Sequence, residues 1–145
     1  MTPEPTTVPP TVQKKYPHMM PADILIWSRY LKSNPFPNAR IAYDVHVGTP
    51  AGPLDGLSAQ YELMAIALST KRIDAVVYEP RRTLIIEIKP YAGASAIGQV
   101  LTYRLLYHRD FPGSPFPLPV ILTDHAQLDT PWLCQQLNIQ LIVCP

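Results

Sequence analysis

The chain has 145 residues, of which 47% are apolar and 16% are charged, and its formal net charge is +1. This length and apolar content predict one compact domain with a core of its own. A net charge this close to zero excludes a broad basic surface, so a nucleic-acid role requires a local basic patch. Cys134 and Cys144 form no CxxC pair and are expected to be free thiols of an intracellular, cytoplasmic protein.

Several classes of protein are excluded because their sequence patterns are missing. No apolar run approaches the ~18–20 residues of a membrane span, so no contact with a membrane is expected. The N-terminus lacks the apolar core of a secretory signal. The sequence contains no GxxxxGK[ST] loop, no GxSxG elbow, no HExxH motif and no zinc-spaced Cys/His set, so ATPases, serine-type hydrolases and zinc enzymes are not expected.

Eighteen prolines make the composition unusual, and many of them stand near the N-terminus. Residues 1–20 are therefore predicted to be a Pro-rich arm, extended rather than folded alone, that precedes a domain at 21–145. The arm either anchors the protein on a neighbouring subunit of a homo-oligomer or larger assembly, or it is solvated. If the arm is an anchor, deletion of residues 1–17 is expected to spare the stability of the domain.

Apolar periodicity and turn residues predict the elements in chain order. They are a helix at 21–33, a strand at 40–48, two strands at 73–78 and 83–88, a helix at 93–109, a strand at 120–123, a helix at 130–137 and a strand at 140–144. The segment 58–71 fits a helix and a strand equally well. Strict alternation in the first strand places Asp44 and His46 on one polar face. Strands separated by helices predict an α/β fold whose central mixed β-sheet is flanked by helices on both faces.

The most informative segment is 72–89, which reads RIDAVVYEPRRTLIIEIK. Two apolar β-type runs flank the residues 79–82, and Pro80 in the second position suits a type I turn. A hairpin in which Tyr78 pairs with Thr83 is therefore predicted.

In that register, Asp74 lies directly opposite Glu87, and strand alternation places Lys89 on the same face. Charged groups on an apolar sheet are costly unless they are paired or bound to a metal. The convergence of two carboxylates and an ammonium predicts an active site. The alternative is an ion cluster that only fixes the register of the hairpin.

Three β elements flanked by helices, with an Asp on the second and Glu-x-Lys on the third, resemble the PD-(D/E)XK nuclease superfamily over roughly residues 24–143. The resemblance implies a restriction-endonuclease-like fold. It also implies that Asp74 and Glu87 bind the metal and that Lys89 is the catalytic lysine. Ile73 stands where many members have the Pro that precedes the first acid.

The resemblance extends to the helix that follows and departs at the first helix. Gln99 matches a position where several branches carry Gln, and Tyr103 follows it one turn later. Many members have a Glu on the first helix, which this chain lacks. Asp23 stands close to the start of that helix, so the role of the first-helix acid is left unfilled.

Hydrolysis of a phosphodiester requires an activated water and a stabilised phosphorane charge, both of which Mg²⁺ (or Mn²⁺) provides when one or two carboxylates hold it. By resemblance, the carbonyl of Ile88 is a further ligand. Lys89 would orient or deprotonate the attacking water or neutralise charge in the transition state. Arg72, Tyr103 and Arg104 are the candidate DNA contacts.

The sequence thus predicts a metal-dependent phosphodiesterase that acts on DNA. The main alternative is a weak or inactive nuclease-fold component of an assembly such as a phage particle, with a virion location and the arm as its anchor. The near-zero net charge and the missing first-helix Glu favour that alternative. A nucleic-acid binder without turnover is the third possibility.

Overall fold

The computed structural model describes residues 3–144, the side chain of Ala67 excepted. Within these residues the order is α1 (Pro21–Lys32), β1 (Arg40–Val47), α2 (Ala59–Ser69), β2 (Lys71–Tyr78), β3 (Thr83–Ala92), α3 (Ala94–Asp110), β4 (Leu118–Ala126), α4 (Thr130–Gln136) and β5 (Gln140–Val143). The ambiguous segment forms α2, whose N-cap residue Ser58 accepts a hydrogen bond from the N–H of Tyr61 at 3.4 Å. β4 is longer at both ends than predicted.

The five strands form one mixed sheet in the order β1-β2-β3-β4-β5. β1, β2 and β3 pair antiparallel, whereas β3, β4 and β5 pair parallel. One face packs against α1, which buries Ile26 and Trp27 there. The other face packs against α3, which buries Val100, and against α4, which buries Cys134. The predicted α/β architecture with helices on both faces of a mixed sheet is confirmed.

The β2–β3 hairpin forms as predicted. The N–H of Glu79 donates to the carbonyl of Arg82 at 2.9 Å, which closes the turn, and Tyr78 pairs with Thr83. The backbone ladder continues to the pair formed by Ala75 and Ile86. Asp74 and Glu87 are the next residues along the two strands, so the hairpin register places them at the end of the ladder.

The strict alternation predicted for β1 is wrong. Tyr43 packs on the α1 side of the sheet, but Val45 packs on the α3 side, as does Val47. The change of side occurs at Asp44, whose φ of 51° lies in the left-handed region. Such a backbone costs a non-glycine residue about 1–2 kcal/mol, although Asp tolerates it better than most residues. The sequence pattern contained no sign of this backbone conformation.

β2 changes sides at the matching position. Ala75 packs on the α1 side and Ile73 on the α3 side, with Asp74 between them. Tyr43 pairs with Ala75 and Val45 with Ile73, so Asp44 and Asp74 face each other across the two strands. The local distortion therefore falls beside the predicted site. Residues in sparsely populated backbone regions are often found at functional sites.

The N-terminal arm packs on its own chain and is not a solvated segment. Tyr16 is 3% exposed and Met19 is 8% exposed, and both belong to the core cluster on the α1 side. The Tyr16 hydroxyl lies 3.0 Å from the hydroxyl of Ser28 on α1. Val8 and Ile41 exchange two backbone hydrogen bonds of 2.8 Å. The arm therefore covers the free edge of β1, which reduces the risk of edge-to-edge pairing with another chain.

Helix α2 projects its apolar side chains into solvent. Tyr61 is 62% exposed, Leu63 is 69% exposed and Leu68 is 81% exposed. Exposed apolar side chains grouped on one helix are a candidate contact surface for another molecule.

Candidate active site

Two carboxylates, that of Glu87 buried and that of Asp74 partly buried, lie at the end of the hairpin ladder. Glu87 is 5% exposed and stands between Ile86 and Ile88, which pack on the α1 side, so its side chain projects from the α3 side. One carboxylate oxygen of Asp74 accepts a hydrogen bond from the N–H of Ile88 at 2.9 Å. This bond continues the hairpin through a side chain and fixes Asp74 next to the Glu-Ile-Lys segment.

The protonation behaviour of the two acids shows that they share one environment. The pKa of Glu87 is raised to about 8, mainly by burial and then by the negative charge of Asp74, against the lowering effect of Lys89. Burial also raises the pKa of Asp74 to about 6, against the lowering effect of the Ile88 N–H. Lys89 lowers this pKa as well. The hairpin therefore brings Asp74, Glu87 and Lys89 together, as the sequence predicted.

Asp23 on α1 joins this group, although the sequence left the role of a first-helix acid unfilled. Its negative charge raises the pKa of both Asp74 and Glu87. The pKa of Asp23 itself is raised mainly by burial, and Lys89 lowers it. Asp23 also accepts a hydrogen bond from the N–H of Met20 at 3.2 Å, as part of the capping box of α1. An acid in the first turn of a helix usually serves only as a cap, which is why its second role was missed.

The oxygen atoms at this site are of the type that binds a divalent cation. Mg²⁺ takes one or two carboxylates together with waters and other oxygen atoms. The N–H of Ile88 points toward Asp74, and in a β-strand the carbonyl of the same residue points toward the same neighbouring strand. Because burial and neighbouring negative charge raise the pKa of both acids, a bound cation would stabilise their ionised forms. Within residues 3–144, no three His, Cys, Asp or Glu side chains already converge closely enough to hold a metal ion.

Stability should depend on pH through these two acids. A carboxyl with a raised folded-state pKa binds its proton more tightly in the folded protein, so folding is favoured below the ordinary pKa and is weakened as pH rises toward the raised value. For Glu87 this window runs from 4.5 to about 8.

In the presence of a chelator, we expect the unfolding free energy of the wild type to fall across this window relative to that of Glu87→Gln, by up to about 1.4 kcal/mol per pH unit, and its melting midpoint to fall with it. Thermal unfolding by circular dichroism at pH 5, 6, 7 and 8 measures this difference. Parallel pH profiles of the two proteins would contradict the expectation.

Helix α3 places two further predicted residues beside the acids. Burial raises the pKa of Tyr103 to about 12, and the charges of Glu87 and Asp74 contribute to the increase, so its hydroxyl lies within their electrostatic range. The buried side-chain oxygen of Gln99 has no hydrogen-bond partner among the described residues. Tyr107, on the same face of the helix, is buried in the core and its hydroxyl lies 2.8 Å from that of Tyr78. Tyr107 is therefore a packing residue.

Arg72, a predicted DNA contact, is paired within the chain. Its Nε lies 2.8 Å from a carboxylate oxygen of Asp44, and its guanidinium donates to Nε2 of His18 at 2.5 Å. Nε2 of His46 lies 3.4 Å from the same Asp44 carboxylate. The negative charge of Asp44 raises the pKa of Asp74, so this ion cluster adjoins the carboxylate site. His18, for which no role is predicted from the sequence, belongs to the cluster.

Arg104, the other basic residue predicted to contact DNA, holds the Pro-rich loop. Its Nε donates to the carbonyl of Pro117 at 2.8 Å, and its guanidinium carbon stands 4.0 Å from the centre of the Phe116 ring. These contacts give Arg104 a structural role on the far part of α3.

Fold and site together define an α/β protein whose mixed sheet carries a carboxylate–lysine cluster at the end of a hairpin, flanked by an acid from α1 and a Gln and a Tyr from α3. No known family matches the sequence, and no curated protein matches it either. The chain is similar to the crystal structure of a protein of unknown function, AF1548, with 16% identity and a TM-score of 0.47 over 83% of this chain. The match spans 54% of that protein. None of the helices described is long and apolar enough to cross a bilayer.

Proposed function

We propose that this protein is a metal-dependent phosphodiesterase of the PD-(D/E)XK nuclease type and that it cleaves DNA. The observation that carries the proposal is the convergence of Asp74, Glu87 and Lys89 on a mixed sheet flanked by helices. The Asp74 charge raises the pKa of Glu87, and Lys89 lowers the pKa of both acids. Perturbed pairs of acids with a nearby cation are more frequent at catalytic sites than elsewhere in proteins. The arrival of Asp23 from α1 supplies the acid whose absence from the sequence pattern had weakened this assignment.

Asp74, Glu87 and the Ile88 carbonyl would hold Mg²⁺ or Mn²⁺, which supplies Lewis-acid charge and an acidified water when it is bound. Lys89 would orient the attacking water and neutralise charge that develops on the phosphate. Asp23 accepts hydrogen bonds from waters on the α1 side. The amide of Gln99 holds the nucleophilic water from the α3 side, which gives its unpaired oxygen a partner.

Magnesium should stabilise the folded protein as well as support cleavage. At pH 8 and at a metal concentration 100 times the dissociation constant, ligand linkage predicts about 2.7 kcal/mol of added stability and an increase in the melting midpoint of roughly 5–10 °C. The increase should vanish in Glu87→Gln. In parallel, supercoiled plasmid should be nicked with Mg²⁺ and stay intact with a chelator. A wild-type protein that shows neither response to Mg²⁺ would refute the proposal.

The second candidate function is a structural component of a larger assembly. The observation that favours it is the exposed apolar surface of α2, above all Leu63 and Leu68. In this case, α2 rather than the N-terminal arm is the contact surface. A monomer in sedimentation analysis that is active as a nuclease would argue against it.

A further inference from the structure

Helix α2 is apolar on almost every side, which is unusual for a helix at the surface. Its 11 residues, AQYELMAIALS, include one charged side chain, that of Glu62. Among the described residues, no other helix or strand packs extensively against it. A helix that is apolar all round is normally buried in a core or an interface. α2 therefore requires a covering surface that the described part of this single chain does not provide.

The largest exposed side chains of α2 form one stripe. Tyr61, Met64 and Leu68 recur at i, i+3 and i+7, and all three are exposed. Thr70, the C-cap residue, is half-buried, and its hydroxyl lies 2.9 Å from Nδ1 of His46 on β1. The end of α2 is therefore fixed to the sheet while the stripe stays open to a partner.

A groove of complementary shape lies along the exposed side of α3. It has a volume of about 350 Å³, and its lining includes the small residues Ala94, Ser95, Gly98 and Thr102. Gly98 stands inside the helix, where glycine is less favourable than alanine. A Cβ at Gly98 would meet no other atom of the described chain within 4 Å. The chain itself therefore does not require a glycine there, whereas close approach of a second helix would.

The charge of α2 complements the charge of the groove. Glu62 directly follows Tyr61 and flanks the stripe, and Lys71 is the one charged residue among the described residues that line the groove. Both are exposed, and neither belongs to an ion pair within residues 3–144. At about 1.5 Å per residue, Glu62 lies roughly 10 Å from the end of α2, beyond which Lys71 follows. One chain thus holds its own two charges apart, so they pair between copies.

From these features we infer that the protein forms a homodimer in which the stripe of α2 of each copy occupies the α3 groove of the other. Because each chain supplies one helix and one groove, the same contact forms twice about a twofold axis. The reciprocal exchange doubles the buried surface. One short helix in one shallow groove would stay well below the ~800 Å² per partner of a standard stable interface. The inference does not depend on the proposed nuclease activity.

Sedimentation equilibrium of the full-length protein measures the association. We expect a mass twice the 16.2 kDa of one chain. Leu68→Glu places a charge in the apolar contact and Gly98→Leu fills the groove, so each should produce a monomer whose circular dichroism remains that of a folded protein. Leu128→Glu is the matched control, because Leu128 is an exposed leucine outside α2 and α3, and it should leave the dimer intact.

Exchange of the two charges tests whether the contact is between copies. Glu62→Lys and Lys71→Glu should each weaken dimerisation about tenfold or more, because each turns two attractive pairs per dimer into repulsive pairs. An equal mixture of the two variants should form a heterodimer of about wild-type affinity, because both of its contacts again join a carboxylate and an ammonium. Docking of α2 on its own chain would restore the pair only when both substitutions are in the same chain.

A wild type that stays monomeric would overturn the inference and would leave α2 to a partner of different sequence. A dimer that persists in both Leu68→Glu and Gly98→Leu would also overturn it, as would a mixture of the charge variants that does not associate more tightly than either variant alone. Plasmid nicking tests the phosphodiesterase separately, so the failure of one proposal is distinguishable from the failure of the other.

Discussion

Asp74→Asn is expected to reduce Mg²⁺-dependent cleavage by at least about 100-fold while the protein stays folded. The amide loses the charge that a cation requires, and with it the stabilisation of negative charge in the transition state. Its side-chain oxygen can still accept the N–H of Ile88, so the end of the hairpin is preserved. Because the substitution also removes a repulsion that raises the pKa of Glu87, the melting midpoint should be unchanged or higher.

The same chemical change at an exposed loop position provides the control. Asp55→Asn should leave nicking rates and thermal stability unchanged, because Asp55 lies on the surface outside the site. Rates are compared on supercoiled plasmid at equal Mg²⁺ concentration. Wild-type nicking by Asp74→Asn would exclude Asp74 as a metal ligand and would leave the ion-cluster interpretation of the hairpin.

Removal of residues 1–17 is expected to destabilise the domain strongly. Tyr16 is buried against α1 and β1, and truncation of a buried aromatic side chain costs about 3–5 kcal/mol. The deletion also removes the two hydrogen bonds between Val8 and Ile41 and exposes the edge of β1. The melting midpoint should therefore fall by roughly 10 °C or more. The sequence alone had suggested that this deletion spares stability.

Point variants identify the contact responsible. Tyr16→Ala should reproduce most of the loss, whereas Tyr16→Phe should cost only about 1 kcal/mol, the usual contribution of a hydrogen bond such as that to Ser28. Lys14→Ala, at an exposed position of the arm, is the control and should melt as the wild type does. A deletion variant with an unchanged midpoint would mean that the arm does not support the core in solution.

The hairpin and its charged residues could be predicted because their positions depend only on residues that are close together in the sequence. The turn at 79–82 fixes the pairing of Tyr78 with Thr83, and strand alternation then brings Asp74, Glu87 and Lys89 together. The contribution of Asp23 could not be predicted, because it depends on where α1 crosses the sheet. The packing of Ile26 and Trp27 determines that crossing, and a first-turn acid has the same sequence pattern whether or not it reaches a site.

Other parts of the fold were missed for different physical reasons. A Pro-rich segment has the composition of a disordered chain, yet a single buried ring at Tyr16 is enough to dock it. In β1 the sequence alternates strictly, but the left-handed backbone at Asp44 moves the residues that follow it to the other side of the sheet. Arg72 and Arg104 appeared available to a polyanion, because the sequence gives no sign of the acid and the carbonyl that bind them.

The spatial order of the strands is the same as their order along the chain. Each strand can therefore add to the outside of the sheet already formed as synthesis proceeds, and none has to be inserted between two others. The hairpin that carries the two acids precedes α3 in the chain, so it leaves the ribosome before α3 does. Its carboxylates gain Gln99 and Tyr103 as neighbours only when α3 docks.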